Sequence, residues 1–355
     1  MTATALDLLE IRLPIVQAPM AGTATPELAA AVSNAGGLGS LGLGSSSPTA
    51  ARTAIHQYRA LSNRPLNVNF FCHDNPGVTP SRDQAWLEYL APWFHEFTAQ
   101  LPDQLEDPET SFNHNRAMHD MLLEECPEIV SFHFGLPPGS ILERLKSAGI
   151  ILMATATSLE EARQIERAGI DIVIAQGWEA GGHRGIFDQH ADDGQLSTVT
   201  LLNQLRQHCR LPIIAAGGIM NGQTIATMLQ LGACAAQLGT AFILCPESAA
   251  SPAYRKALNS PAAQYTRHTA AISGRPARGI MARVHRELDT PGRPPLPDYP
   301  VCYQATKALQ AAASQQNHFE FGSHWAGQGA PLARPMPAAE LVKTLANEIA
   351  SVMAD

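Results

Sequence analysis

The apolar residues of this chain gather into eight short runs rich in Val, Ile, Leu and Ala. They begin near Ile15 (IVQAPM), Leu38 (LGSLGLG), Leu66 (LNVNFF), Ile129 (IVSFHF), Ile150 (IILMATA), Ile170 (IDIVIAQG), Pro212 (PIIAAGG) and Ala235 (AAQLGTAFIL). Continuous apolar runs, unlike alternating ones, suit parallel strands covered on both faces. Helix punctuation lies between most of them. Thr25-Pro26 opens one helix and Gly36-Gly37 closes it. Ser158 with Glu161 three residues on predicts a capping box, with Gly169 at the far end, and Asn221 starts a helix that Gly232 stops.

Most strand-to-strand intervals are about 20 to 28 residues, the length of one βα unit. Two are longer. One holds an insertion, 73–128, with helical pieces around Gln84–Gln100 and Asn115–Glu125; the other holds a long loop, Gly177–Leu196. Eight units in this order predict an α/β fold, a closed (β/α)8 TIM barrel. A doubly wound open sheet is the alternative, because strand order is not written in one sequence. The expected organisation is a barrel from 1–72 and 129–310, a helical insertion 73–128 covering the substrate pocket, and a C-terminal helical extension 311–355.

Composition narrows the class without choosing a function. The chain has 355 residues, 45% of them hydrophobic, enough for one large core, and a formal charge of −8. Its Lys and Arg are scattered, so neither nucleic acid nor an anionic membrane is an expected partner. The start (MTATALDLLEIRLP) lacks a signal-peptide layout and no apolar stretch reaches about 18 residues, so a cytoplasmic protein is expected. Six cysteines, far apart and without a C-x-x-C pair, read as reduced thiols rather than disulfides or a metal site.

In such a barrel the active site lies at the C-terminal ends of the strands, and the polar and glycine-rich residues of this chain fall there. Strand 1 ends in Gln17–Gly22 (QAPMAG), strand 3 carries Asn69, strand 4 His133, and strand 6 ends in Gln176 followed by GWEAGGHRG. Glycines after strands 6, 7 and 8 (Gly181, Gly218, Gly239), with Thr240, suit a phosphate held by backbone N–H groups and helix N-termini. The alternative for each glycine alone is a tight βα turn. Asn69 and Gln176 offer the donors and acceptors that the edge of a flavin or nucleobase needs, or are satisfied core amides. His183, in the long glycine-rich loop, is the expected reactive group, since imidazole can take a proton from carbon near neutral pH. A metal site from His183, Asp188, His190, Asp192 and Asp193 lacks regular ligand spacing, and none is expected. His133 belongs either to the core or to the barrel mouth. Tyr299, Tyr303 and Lys307 fall at i, i+4, i+8; on a helix with Pro300 in its first turn they form one stripe, a wall for a small anion or an ordinary surface face.

Taken together, QAPMAG, Leu28–Gly39 (LAAAVSNAGGLG), Asn67–Phe70 (NVNF), Ser131–Gly135 (SFHFG), Ala175–Gly185 (AQGWEAGGHRG), Ala215–Met220 (AAGGIM), Gln237–Phe242 (QLGTAF), Ser273–Gly279 (SGRPARG), Trp325–Ala330 (WAGQGA) and the Tyr–Tyr–Lys stripe resemble the nitronate monooxygenases, formerly 2-nitropropane dioxygenases, and in particular their class I. The resemblance runs over most of the chain. It implies FMN, with its phosphate at Gly181, Gly218 and Gly239–Thr240. The flavin ring would lie near Met20, Asn69 and Gln176, with Gln237 and Leu238 of strand 8 beside the cofactor. It implies His183 as the catalytic residue, and His133, Tyr299, Tyr303 and Lys307 as substrate-binding. The implied reaction passes electrons from an alkyl nitronate to FMN and uses O2 to give a carbonyl compound and nitrite. Propionate 3-nitronate, a toxic plant metabolite, is the substrate it points to, which makes detoxification the expected role. Two departures stand out: Thr23 follows QAPMAG where many relatives continue with small or apolar residues, and Phe112 is the nearest aromatic that the insertion offers to cover a substrate. Competing readings are an FMN-dependent NAD(P)H:quinone reductase or enoyl reductase on the same barrel, a non-catalytic FMN-binding protein, and a phosphosugar isomerase or synthase. A monomer or a homodimer is expected.

Overall fold

The computed structural model describes residues 5–74, 77–106 and 111–354. Residues 1–4, 75–76, 107–110 and 355, on which parts of the leader, insertion and extension readings fall, lie outside the described residues. Eight parallel strands form the centre: β1 (Ile15–Gln17), β2 (Gly39–Gly42), β3 (Leu66–Phe71), β4 (Ile129–His133), β5 (Ile151–Ala156), β6 (Ile172–Gln176) and, after a short strand β7 (Gly182–His183) outside the barrel, β8 (Ile213–Ala216) and β9 (Ala235–Leu238). Their order is β1-β9-β8-β6-β5-β4-β3-β2, and every pair is parallel. The ring closes between β1 and the residue before β2: the Leu38 N–H donates to the Ile15 carbonyl at 2.9 Å, and the Gln17 N–H to the Leu38 carbonyl at 2.9 Å. This is the barrel, and the open-sheet alternative falls.

Register sorts the strand residues by face. Ile172 and Ile174, Ile214 and Ala216, Met153, Ile129 and Ala235 form an inner cluster, joined by Leu9 and Ile11 from the N-terminal segment. Their neighbours Val173, Ala175, Ile213, Ala215, Leu152 and Ala236 pack outward against the helices. One residue's step therefore moves a side chain from the barrel axis to the helix layer.

The helix signals resolve into capped helices with one difference. Thr25 Oγ1 accepts from the Leu28 N–H at 3.0 Å at the start of Pro26–Ala35, and Gly36 ends it at φ 110°. Ser158 caps Leu159–Arg167 by accepting from the Glu161 N–H at 3.2 Å. The reciprocal half of the expected box is absent. The Glu161 carboxylate reaches past Ser158 to the Thr157 N–H and hydroxyl at 2.6 and 2.7 Å, and to the Phe187 N–H at 2.8 Å. Its job is to pin the long loop.

The last ring helix comes from the end of the chain. Ala338–Met353 packs against Pro26–Ala35 and Gly222–Gln230, with Ala338, Leu341, Val342 and Leu345 in the main core. The segment read as an extension thus includes a helix of the ring, and the boundary at 310 falls inside the helix Cys302–Gln315. From the insertion, Pro80–Glu96 packs on Cys302–Gln315 in a separate cluster with Trp86, Leu90 and Phe94. A small antiparallel sheet joins β10 (Thr266–Thr269), β11 (Ala277–Ile280) and β7, pairing His183 with Ala277. The long loop is therefore not all loop.

Candidate active site

A cavity of about 730 Å³ opens at the C-terminal ends of the barrel strands. That size suits a cofactor together with a small substrate. The inward register delivers its floor: Asn69 and Phe71 from β3, His133 from β4, Thr155 from β5, Gln176 from β6 and Gln237 from β9. Met20, Gly181, Gly218, Gly239, Thr240 and His183 line it from the loops, and Tyr299, Tyr303 and Lys307 form a wall. Of the residues expected to bind cofactor or substrate, the Leu238 side chain alone does not line the cavity. It is next to Gln237 on the strand, so its side chain points outward into the main core.

The glycine cradle has a clear physical basis. A Cβ at Gly181 would lie 2.4 Å from the Gly327 N, and Gly218 adopts φ +71°, so neither position admits a side chain without strain. Among the described residues no protein acceptor takes the N–H of Gly218 or Gly239. Thr240 Oγ1 accepts from the Gly327 N–H at 3.0 Å, leaving its own proton to give. The Gln237 Oε1 atom is buried without a partner. Free N–H groups at one end and an orphaned amide oxygen at another fit a phosphate-bearing cofactor with a polar ring edge.

Gln176, which lines the cavity, also holds the loop above it. Its Nε2 donates to the His183 carbonyl at 3.0 Å, and its Oε1 accepts from the Gly185 N–H at 2.7 Å. It fastens the loop that carries His183 to the top of β6. His133 does likewise. Its Nε2 is 3.2 Å from the His183 carbonyl, which can only accept, so Nε2 carries the proton and Nδ1 accepts from the Thr155 hydroxyl at 3.1 Å. Both of its nitrogens are engaged. Burial lowers this ring's pKa to about 4 against a partial opposing pull from that carbonyl bond. Arg184, fully buried, grips Asp193 through Nε and Nη2 at 2.7 and 2.9 Å. Asp193, one of the acids weighed for a metal, is thus paired with a cation, and the described residues hold no group of three or more His, Cys, Asp or Glu able to bind an ion.

His183 stands among Phe134, Tyr299, Tyr303 and Trp325, with ring centroids 5.6, 5.5, 6.0 and 5.4 Å away. Burial holds its pKa down to about 3, helped by His133, Arg275 and His73. The Arg275 guanidinium lies 4.4 Å over the Phe134 ring and donates to the Ile186 and Phe187 carbonyls. Burial raises the Tyr299 phenol, and pushes Tyr303 up to about 12. At neutral pH the site therefore presents a neutral imidazole and two protonated phenols. Among the described residues Lys307, with Nζ 4.7 Å from the Tyr303 ring centroid, forms no ion pair and is the only formal charge lining the cavity, where no described Asp or Glu stands.

The stripe arises differently from the expected one. The helix begins at Cys302, so Tyr299 enters from the preceding turn, while Tyr303, Lys307 and Gln310 follow at helical spacing. Phe112 is corrected outright: it stacks on Phe70 at 4.8 Å in the layer outside the barrel and does not reach the cavity. No described residue of 73–128 lines it. Ser273, Thr155, Arg275 and Trp325 were not singled out as site residues from sequence. Ser273, Arg275 and Trp325 lie within motifs that carry the family resemblance, which was the available signal.

Comparison with known proteins agrees with this geometry. Residues 3–348 match the model of the nitronate monooxygenase family. The chain is 50% identical to a nitronate monooxygenase of Pseudomonas aeruginosa over 98% of this chain and 99% of the relative. It is 53% identical to one of Paraburkholderia phytofirmans over 97% and 94%. Among solved structures, the nitroalkane oxidase from Streptomyces ansochromogenes superposes with a TM-score of 0.90 at 40% identity, covering 99% of both chains.

Proposed function

This chain belongs to the nitronate monooxygenase family, and from that premise we propose that it binds FMN and oxidises alkyl nitronates with O2 to a carbonyl compound and nitrite. Propionate 3-nitronate is the substrate we favour. The observation that carries this reading is the charge of the cavity: in a protein of net charge −8, the described residues that line it hold one ammonium, Lys307, and no carboxylate. Such a lining suits two anions, a cofactor phosphate and an anionic substrate.

The N–H groups of Gly218 and Gly239 and the Thr240 hydroxyl would take the phosphate, with Gly181 allowing the close approach of the 326–327 backbone. Gln237 Oε1, Asn69 and Met20 would meet the ring. FMN, when bound, supplies the electron-accepting ring. Lys307 and the phenols of Tyr299 and Tyr303 donate to the substrate: the phenols stay protonated, and the ammonium pairs with a carboxylate carried by the nitronate. His183 stands beside this position as a neutral base able to take a proton from the α-carbon of a neutral nitroalkane. The surrounding aromatic rings keep water from the reacting atoms.

Turnover of propionate 3-nitronate by the purified yellow protein, read as nitrite release coupled to O2 uptake, tests the proposal. Release of nitrite in proportion to O2 consumed supports it; an FMN-loaded protein inert to every nitronate overturns it.

A further inference from the structure

Ser273 begins the segment that runs into β11 beside β7, and its side chain is fully buried. Its hydroxyl oxygen meets three groups. The Arg275 N–H donates to it at 3.3 Å, the Arg275 carbonyl lies 3.1 Å away, and Nε2 of His183 lies 2.9 Å away. A hydroxyl has one proton and two acceptor sites. The Arg275 carbonyl has no other donor among the described residues. Giving the Ser273 proton to that carbonyl lets the oxygen accept from both the Arg275 N–H and an Nε2–H of His183, and all three bonds form. Giving it to Nε2 instead strands the carbonyl in a buried turn. The other ring nitrogen of His183, Nδ1, has no protein partner among the described residues, and the ring lines the cavity.

We propose that Ser273 is a positioning residue that fixes neutral His183 as its Nε2–H tautomer, so that the chain presents the Nδ1 lone pair to its substrate. The backbone reinforces the arrangement. His183 pairs with Ala277 in the small sheet, and the Arg184 N–H donates to the Pro276 carbonyl at 2.8 Å, so both partners of the Ser273–His183 bond sit on one scaffold. His133 is the counter-example across the cavity: it too carries its proton on Nε2, but Thr155 fills its Nδ1. Of these two, only His183 has a nitrogen to offer. The use of that lone pair rests on the reaction proposed above. With a neutral nitroalkane, the α-carbon proton moves to Nδ1, the C–H electron pair remains on the substrate as the nitronate, and His183 becomes an imidazolium that still donates through Nε2 to Ser273.

The test is nitrogen NMR of the full-length, flavin-loaded protein labelled with 15N-histidine, the His183 signals being identified by their loss in His183→Asn. The wild-type ring is expected to show a protonated Nε2 and an unprotonated Nδ1. In Ser273→Ala the ring is expected to average between tautomers, and nitroalkane turnover to fall by about tenfold or more, further than nitronate turnover. Ser273→Thr, which keeps the hydroxyl, is expected to retain the wild-type tautomer. A wild-type ring protonated on Nδ1 overturns the proposal without any variant, and so does a Ser273→Ala ring indistinguishable from wild type. The spectra do not depend on turnover, so a protein with the expected tautomer but no activity on nitro compounds would overturn the reaction and leave the Ser273 assignment standing.

Discussion

Gln176, His133 and His183 look alike from sequence, polar residues at strand ends or just beyond, yet hydrogen bonding gives them different work. Gln176 and His133 both bond the His183 carbonyl, so they hold the loop, while His183 keeps a free nitrogen. Replacing His183 with Asn is expected to lower nitroalkane turnover about 100-fold or more and nitronate turnover much less, because only the neutral substrate has a proton to lose. Equal losses on both substrates, in steady-state assays run side by side, contradict the base assignment. Lys307→Met is expected to raise KM about tenfold for a carboxylate-bearing nitronate and little for a simple alkyl nitronate, the loss of one charge-assisted bond at an exposed position. The histidines also set a pH response. His73 and His133 are lowered to about 4 and His183 to about 3, each chiefly by burial, from an ordinary 6.5. The unfolded chain then binds more protons than the folded one, so stability is whole above about pH 6.5 and falls as pH drops toward 4 and 3. Urea midpoints across that range check it; a midpoint flat from pH 7 to about pH 4.5 contradicts it. Much of the cavity lining was legible because it ends strands. The outward turn of the Leu238 side chain follows from strand alternation after Gln237, and Ser273 lacked an assigned role because its bond to His183 spans 90 residues.

At the scale of elements, the barrel strands were legible because each is a continuous apolar run, and the helices because capping residues mark their ends. The short strand β7 was not. Two residues, Gly182 and His183, carry no period, and their pairing to β11 is set by partners almost a hundred residues away. Glu161 shows the same limit. Its spacing from Ser158 reads as a capping box, whereas its carboxylate joins the Thr157 turn to the Phe187 N–H. Glu161→Ala leaves three donors in a buried setting without their acceptor and is expected to cost about 2–3 kcal/mol in urea unfolding. Faster hydrogen exchange over residues 183–193 should accompany it, since the loop loses one of its ties. A variant as stable as wild type would remove Glu161 from this role.

Across the whole molecule, the eighth βα unit is divided: β9 ends at Leu238, and the helix that completes the ring arrives only at Ala338. About a hundred residues lie between, and they build the site's outer wall, including Ser273, Tyr299, Tyr303, Lys307 and Trp325. Period and length alone could not reveal this, because a terminal amphipathic helix reads the same whether it closes a ring or follows it. Leu341→Ala and Leu345→Ala, both fully buried in the main core, are each expected to cost about 2–5 kcal/mol. A chain ending at 337 is then expected not to fold, since total stability is of the order of 5–15 kcal/mol; a cooperative thermal transition in that truncated chain contradicts the assignment of this helix to the ring. The same division explains how the cavity comes to be walled by residues far apart in sequence while its floor stays regular.

This cavity is expected to hold FMN and to turn over an anionic nitronate. The direct measurement mixes the purified protein, without oxygen, with propionate 3-nitronate and separately with NADH and NADPH, following the flavin absorbance, and then admits air and measures nitrite. A flavin spectral change with the nitronate, none with either nicotinamide, and nitrite on aeration are expected. Bleaching by a nicotinamide with no response to the nitronate, or a colourless protein that binds no FMN, would contradict it.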